Sequence, residues 1–189
     1  MNEFLPKDYK EPAMKASNYM KFQEGDNKFR ILSKPKMGWE WWTNEGKKRK
    51  PNRVVNFKDV PNDMREDANF FWVMAVWNYT ADKVQVLQIT QSTIRKFLVD
   101  LDRDEDWGDP KGYDITVSRV GTTFEDTDYT VRSTPPAEFV TKGRDILDVN
   151  LEIWMEGEDP FKEEAISNKE LDDIADNIDI GDLDEGSKN

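Results

Sequence analysis

The chain reads as an all-β domain with one helix, and three observations predict it. Short runs in which apolar and polar residues alternate recur from Lys28 to Arg132. Clusters of Gly, Asn, Asp and Pro separate them. Only one stretch of this region has helical spacing: Ile94, Phe97, Leu98 and Leu101 at i, i+3, i+4 and i+7.

Gly25-Asp26-Asn27 is a turn signal. Lys28–Ser33 follows as a strand, with Phe29 and Ile31 on the face expected in the core. Met37–Thr43 continues it beyond Pro35, with Trp39 and Trp41 on one face and Trp42 on the other. At least one of these three rings is needed for the core. Asn44–Arg53 reads as a long, flexible, cationic connection. Phe70–Tyr79 is rich in aromatic and β-branched residues and predicts a strong strand, with Trp72 and Trp77 on opposite faces, one of them outward. Lys83–Thr90 is apolar on both faces, as a strand covered on both sides would be. Thr90 or Ser92 can cap the helix that follows. Tyr113–Ser118 and Tyr129–Arg132 are the last two strands, and Pro135-Pro136 stops the second.

A long bent strand, two strands, a helix and two strands follow the topology of the five-stranded oligonucleotide-binding (OB) barrel. An open antiparallel sheet with one covering helix gives the same order. The expected organisation is an extended arm over residues 1–22, packing through Phe4, Leu5, Tyr9 and Tyr19, a domain over 23–150, and a disordered acidic tail over 151–189.

Charge is divided unevenly along the chain. Residues 151–189 hold 14 Asp and Glu against 3 Lys, most of the net −12. Residues 28–58 carry 10 Lys and Arg against Glu40 and Glu45, together with Phe29, Trp39, Trp41, Trp42 and Phe57. Cations neutralise phosphates, and flat rings stack on unpaired bases at about 1–3 kcal/mol per base with little regard to sequence. The expected ligand is therefore single-stranded nucleic acid. Trp39, Trp41, Trp42, Trp72, Trp77 and Tyr79 form the pool for stacking. Lys34, Lys36, Lys47, Lys48, Arg49, Lys50 and Arg53 are the expected phosphate contacts. The tail is expected either to solubilise the protein, to lie in its own basic groove, or to meet protein partners.

Without Cys or His, the chain has no thiol nucleophile, thiolate metal site or imidazole base. Asp100, Asp102, Asp104 and Asp106 resemble the start of a calcium loop, but Glu105 stands where that loop needs Gly and Lys111 where it needs Glu. Gly-rich phosphate loops are missing. No enzymatic activity and no cofactor are expected. The N-terminus, Met1 to Asp8, has no apolar run of signal-peptide length, no stretch approaches the length of a membrane span, and a cytoplasmic protein is expected. A rival from another class is an acidic mimic of DNA that inhibits a host enzyme.

Several blocks resemble a family of bacteriophage single-stranded DNA-binding proteins. They are Tyr19–Ser33, Gly38-Trp39-Glu40-Trp41-Trp42, Phe71–Tyr79, Leu87–Gln91 and Glu105–Pro110, within roughly residues 19–134. The resemblance implies an OB-fold, no enzymatic activity, and a part in phage DNA replication, recombination or repair, with replication or recombination proteins as partners of the acidic tail. The terminal aromatic common in such tails is missing from Asp184-Glu185-Gly186-Ser187-Lys188-Asn189.

Overall fold

The computed structural model describes residues 17–123 and 125–161. It is mainly β-sheet. Its strands are β1 Tyr19–Met20, β2 Gly25–Ile31, β3 Lys36–Glu45, β4 Lys48–Val54, β5 Asn69–Asn78, β6 Lys83–Ile89, β7 Asp114–Val120 and β8 Asp128–Ser133. Helix α1, Ser92–Arg103, lies between β6 and β7, and a five-residue helix α2, Leu151–Met155, follows β8.

β5 organises the sheet. One edge pairs with β6 from Trp72↔Ile89 to Asn78↔Lys83. The other edge is shared: Phe70 and Val73 pair with Trp39 and Lys36 of β3, and Val76 and Asn78 pair with Ile31 and Phe29 of β2. β2 and β3 are thus the two halves of the expected bent strand, broken at Pro35. The order β1-β6-β5-β2-β7-β8 is open, with β4 joined to β3. The sheet has eight strands, not the five expected, and no ladder joins β6 to β8 among the described residues. The short β1 lies parallel beside β6 instead, and the gap to β8 is crossed by side chains. Phe22 and Tyr129 rings lie 6.0 Å apart, and Arg119 Nη1 donates to Phe22 O at 3.0 Å.

Two of the added strands have simple causes. Residues expected to form the flexible connection are strand β4, paired from Glu45↔Lys48 to Trp39↔Val54. Gly46, at φ 62°, gives the tight turn, and Pro51 is tolerated because β4 pairs on one side only. Residues 19–22 fall within the expected arm, yet Met20 and Phe22 are buried in the main core. Phe4, Leu5 and Tyr9 lie outside the described residues.

The main core packs Phe29, Ile31, Met74, Val76, Leu87 and Ile89 against Ile94, Leu98 and Leu101 of α1. The α1 N-cap is Gln91, and neither Thr90 nor Ser92 caps it: Ser92 is already the first helical residue. β6 is covered on both faces, with Val84 and Val86 as buried as Leu87 and Ile89. On the outer face, Phe71, Val73 and Val86 are covered by Leu151 and Trp154 of α2. The packed structure therefore continues past residue 150. The expected tail begins with a docked segment, and residues 162–189 lie outside the described part.

Candidate nucleic-acid interface

The strand pairing produces a cleft of about 670 Å³ on the outer side of β6. One wall is the β3–β4 hairpin. Alternation places Glu40, Trp42, Arg49 and Arg53 on the hairpin face turned to the cleft. Trp42 is 45% exposed, the highest exposure of any Trp here, and Arg49 sits over its ring at 5.2 Å. The floor includes Val86 and Gln88 of β6, with Trp154 of α2 at its base. Across the cleft stand Lys21, Phe22, Arg119 and Tyr129, and Tyr19 of β1 adds an exposed ring. Partial burial and nearby Asp159 push the Tyr19 phenol above its ordinary value.

Three cations, Lys21, Arg53 and Arg119, face one carboxylate, Glu40, in this lining. Glu40 is buried, and its Oε2 accepts from Arg53 Nε at 2.8 Å. Arg119 donates one bond to Phe22 O, while its buried Nε has no partner among the described residues. Aromatic rings and cations at the walls of an open cleft can hold a base and its phosphate together.

The expected site residues separate into several groups. Trp42 and Arg49 flank the cleft. Arg53 lines it, but is not a free phosphate contact: Glu40 and the Trp154 carbonyl take its donors. Lys48 and Lys50 lie on the opposite hairpin face, where Lys50 Nζ meets Glu45 at 3.1 Å, and Lys47 is exposed at the turn. Lys34 is exposed at the β2–β3 bend and lines a separate pocket of about 340 Å³ below α1, while Lys36 is paired with Glu152.

Four of the expected stacking tryptophans are engaged elsewhere. Trp39 is packed on Phe57 and Phe70, with ring centres 4.5 and 5.2 Å away, on the other face of β3. Trp41 is buried. Trp72 packs against the main core. Trp77 is 1% exposed beneath Phe139 and Arg144. Trp72 and Trp77 lie on opposite faces of β5, and both are packed because that strand is covered on both faces, which the expected outward Trp did not allow for. Tyr79 is half-buried, with its hydroxyl donating to Asp114 Oδ1 at 2.9 Å and Lys28 Nζ 4.7 Å from its ring.

Sequence reasoning passed over Lys21, Gln88, Arg119 and Tyr129. Tyr129 and Arg119 are directly opposed in the β7–β8 ladder, and that pairing gathers the far wall. No group of Asp or Glu able to hold a metal ion occurs among the described residues. Nor, among them, is any helix long and apolar enough to cross a membrane.

No known protein family, no curated protein and no solved structure matches this chain.

Proposed function

We propose that the protein binds single-stranded DNA in this cleft, with little sequence preference overall, and protects the strand during phage replication, recombination or repair. The exposed Trp42 ring beneath Arg49, at the edge of a cleft with Lys21 and Arg119 on its far wall, carries this reading. A base would stack on Trp42, with Tyr19 and Tyr129 as further ring surfaces, while the cations meet phosphates. The bent β2–β3 strand, the pairing of β5 with β6, and a helix leading to β7 and β8 support an OB-like architecture left open between β6 and β8. The same reading makes the chain a relative in kind of the phage single-stranded DNA-binding family, acting without catalysis or cofactor, in the host cytoplasm, with its acidic end available to replication or recombination proteins.

The test is intrinsic Trp fluorescence titrated with oligo-dT and with duplex DNA at two salt concentrations, on wild type and Trp42→Phe. Quenching by the single strand, strongly reduced in the variant and weakened by salt, is expected. Equal response to duplex, or no response to either, refutes the proposal.

A further inference from the structure

Gln88, on β6, lies in the cleft floor, and a chain of three fixed contacts sets the direction of its amide. Arg53 is anchored by the Trp154 carbonyl at 2.7 Å and by the Trp154 ring, 3.5 Å from its guanidinium carbon. It donates to Glu40 Oε2 at 2.8 Å. Glu40 Oε1 accepts from Gln88 Nε2 at 3.2 Å. A carboxylate paired with a guanidinium has no proton to donate, so only the amide nitrogen of Gln88 can face it. The amide carbonyl must point the other way, and no donor among the described residues meets it.

Resting on the single-strand reading, we propose that the Gln88 carbonyl oxygen reads one base in the cleft, favouring bases with an exocyclic amino group over thymine. Cytosine N4 and adenine N6 each present an N–H pair to an acceptor. Thymine offers a single N3–H between two carbonyl oxygens, which the Gln88 oxygen and the adjacent Glu40 carboxylate repel. The remaining ring contacts accept any base, so the preference is confined to one position in each bound stretch.

The experiment measures the affinities of the full-length protein for dC and dT 12-mers, at neutral pH and fixed salt, for wild type and two variants. One well-placed hydrogen bond predicts a wild-type preference for dC of about three- to tenfold. Gln88→Met keeps the side-chain length but loses the amide carbonyl, and the ratio should fall toward one. Glu40→Gln should reverse the ratio. Arg53 takes the new amide's carbonyl, its NH₂ turns to Gln88, and Gln88 flips to offer its own NH₂ to the cleft. A role confined to folding would weaken both oligonucleotides alike and leave their ratio unchanged. Equal wild-type affinities, or a ratio that neither variant alters, overturn base reading and leave single-strand binding standing. Failure to bind either strand overturns the single-strand reading as well, so the two failures are distinguishable.

Discussion

Arg53 and Trp154 join the β3–β4 hairpin to the acidic end of the chain. The guanidinium carbon lies 3.5 Å from the centre of the indole, and Nη1 bonds the Trp154 carbonyl. Such a contact resists separation because the cation stacks and hydrogen-bonds at once in a largely dry setting. Glu152, on the same short helix, pairs with Lys36 at the start of β3. Residues 150–161 are therefore part of the domain, although their composition is that of the tail.

Two truncations should consequently behave differently. Ending the chain after Asn150 strips Leu151 and Trp154 from Phe71, Val73 and Val86. Removing a buried Trp side chain costs about 3–5 kcal/mol, so a clear fall in Tm is expected. Ending it after Phe161 removes 10 carboxylates and 3 lysines while keeping the docked helix. That protein should melt near the full-length temperature and bind single strands more tightly at low salt, with the difference shrinking as salt rises. Thermal unfolding and DNA titration of both truncations check this; an unchanged Tm after the Asn150 cut would show that α2 adds nothing to the fold.

Trp42 and Trp77 separate stacking from stability. Trp42→Ala should leave the melting curve almost unchanged and weaken single-strand binding by about 1–3 kcal/mol. Trp77, 1% exposed, lies beneath Phe139 and Arg144. Trp77→Ala should destabilise by about 3–5 kcal/mol, while the folded fraction binds DNA as before. Denaturant unfolding alongside DNA titration distinguishes the two effects, and a binding defect specific to Trp77→Ala would move the base platform to the other end of β5.

These two residues also show what the sequence could reveal. Periodicity placed the bent strand, the two following strands, α1 and the last two strands, because alternation and a 3.6-residue spacing are local properties. It identified Phe29 and Ile31 as core, and both are buried. It could not tell Trp42 from Trp77. Exposure there depends on which remote segment covers each face, namely Phe139 and Arg144 over Trp77, whereas among the described residues Trp42 has only Arg49 of its own hairpin over its ring. β4 was missed because Lys48-Arg49-Lys50-Pro51-Asn52 has little strand propensity, and its pairing is imposed by the turn at Gly46. The far wall of the cleft was illegible for a similar reason: Lys21 follows β1, Arg119 lies on β7 and Tyr129 on β8, and they meet only once the sheet is assembled.

The hairpin cations should divide by face. Arg49 lies over Trp42 on the cleft side, whereas Lys48 and Lys50 alternate away, with Lys50 held near Glu45. For single strands, deleting one phosphate-neutralising cation reduces the slope of log affinity against log salt by about 0.7. Arg49→Ala should show this reduction together with weaker binding. The double change Lys48→Ala and Lys50→Ala should leave the slope nearly constant, although it removes twice the charge. Titrations at four or five salt concentrations decide it, and a larger slope change in the double variant would place the strand on the opposite hairpin face.

Asp114 predicts how the fold responds to acid. Burial works to raise its carboxyl, but hydrogen bonds from Arg30, Lys28 and Tyr79 outweigh it and hold the group below the ordinary value of 3.8. Arg30 Nε lies 2.7 Å from Oδ1, Lys28 Nζ 3.0 Å from Oδ2, and Arg30 is itself buried on β2. A carboxyl depressed in the folded state contributes stability at pH values above its unfolded pKa. That contribution is lost as pH falls below 3.8 and through the lower folded value. Asp114→Asn removes the dependence together with the anion, leaving Arg30 buried and uncompensated at a cost of about 3–5 kcal/mol. Denaturant unfolding from pH 7 to pH 2 should therefore show a much less stable variant at neutral pH whose deficit narrows in acid. A constant gap across that range would mean that the Arg30–Asp114 pair is not what links this fold to pH.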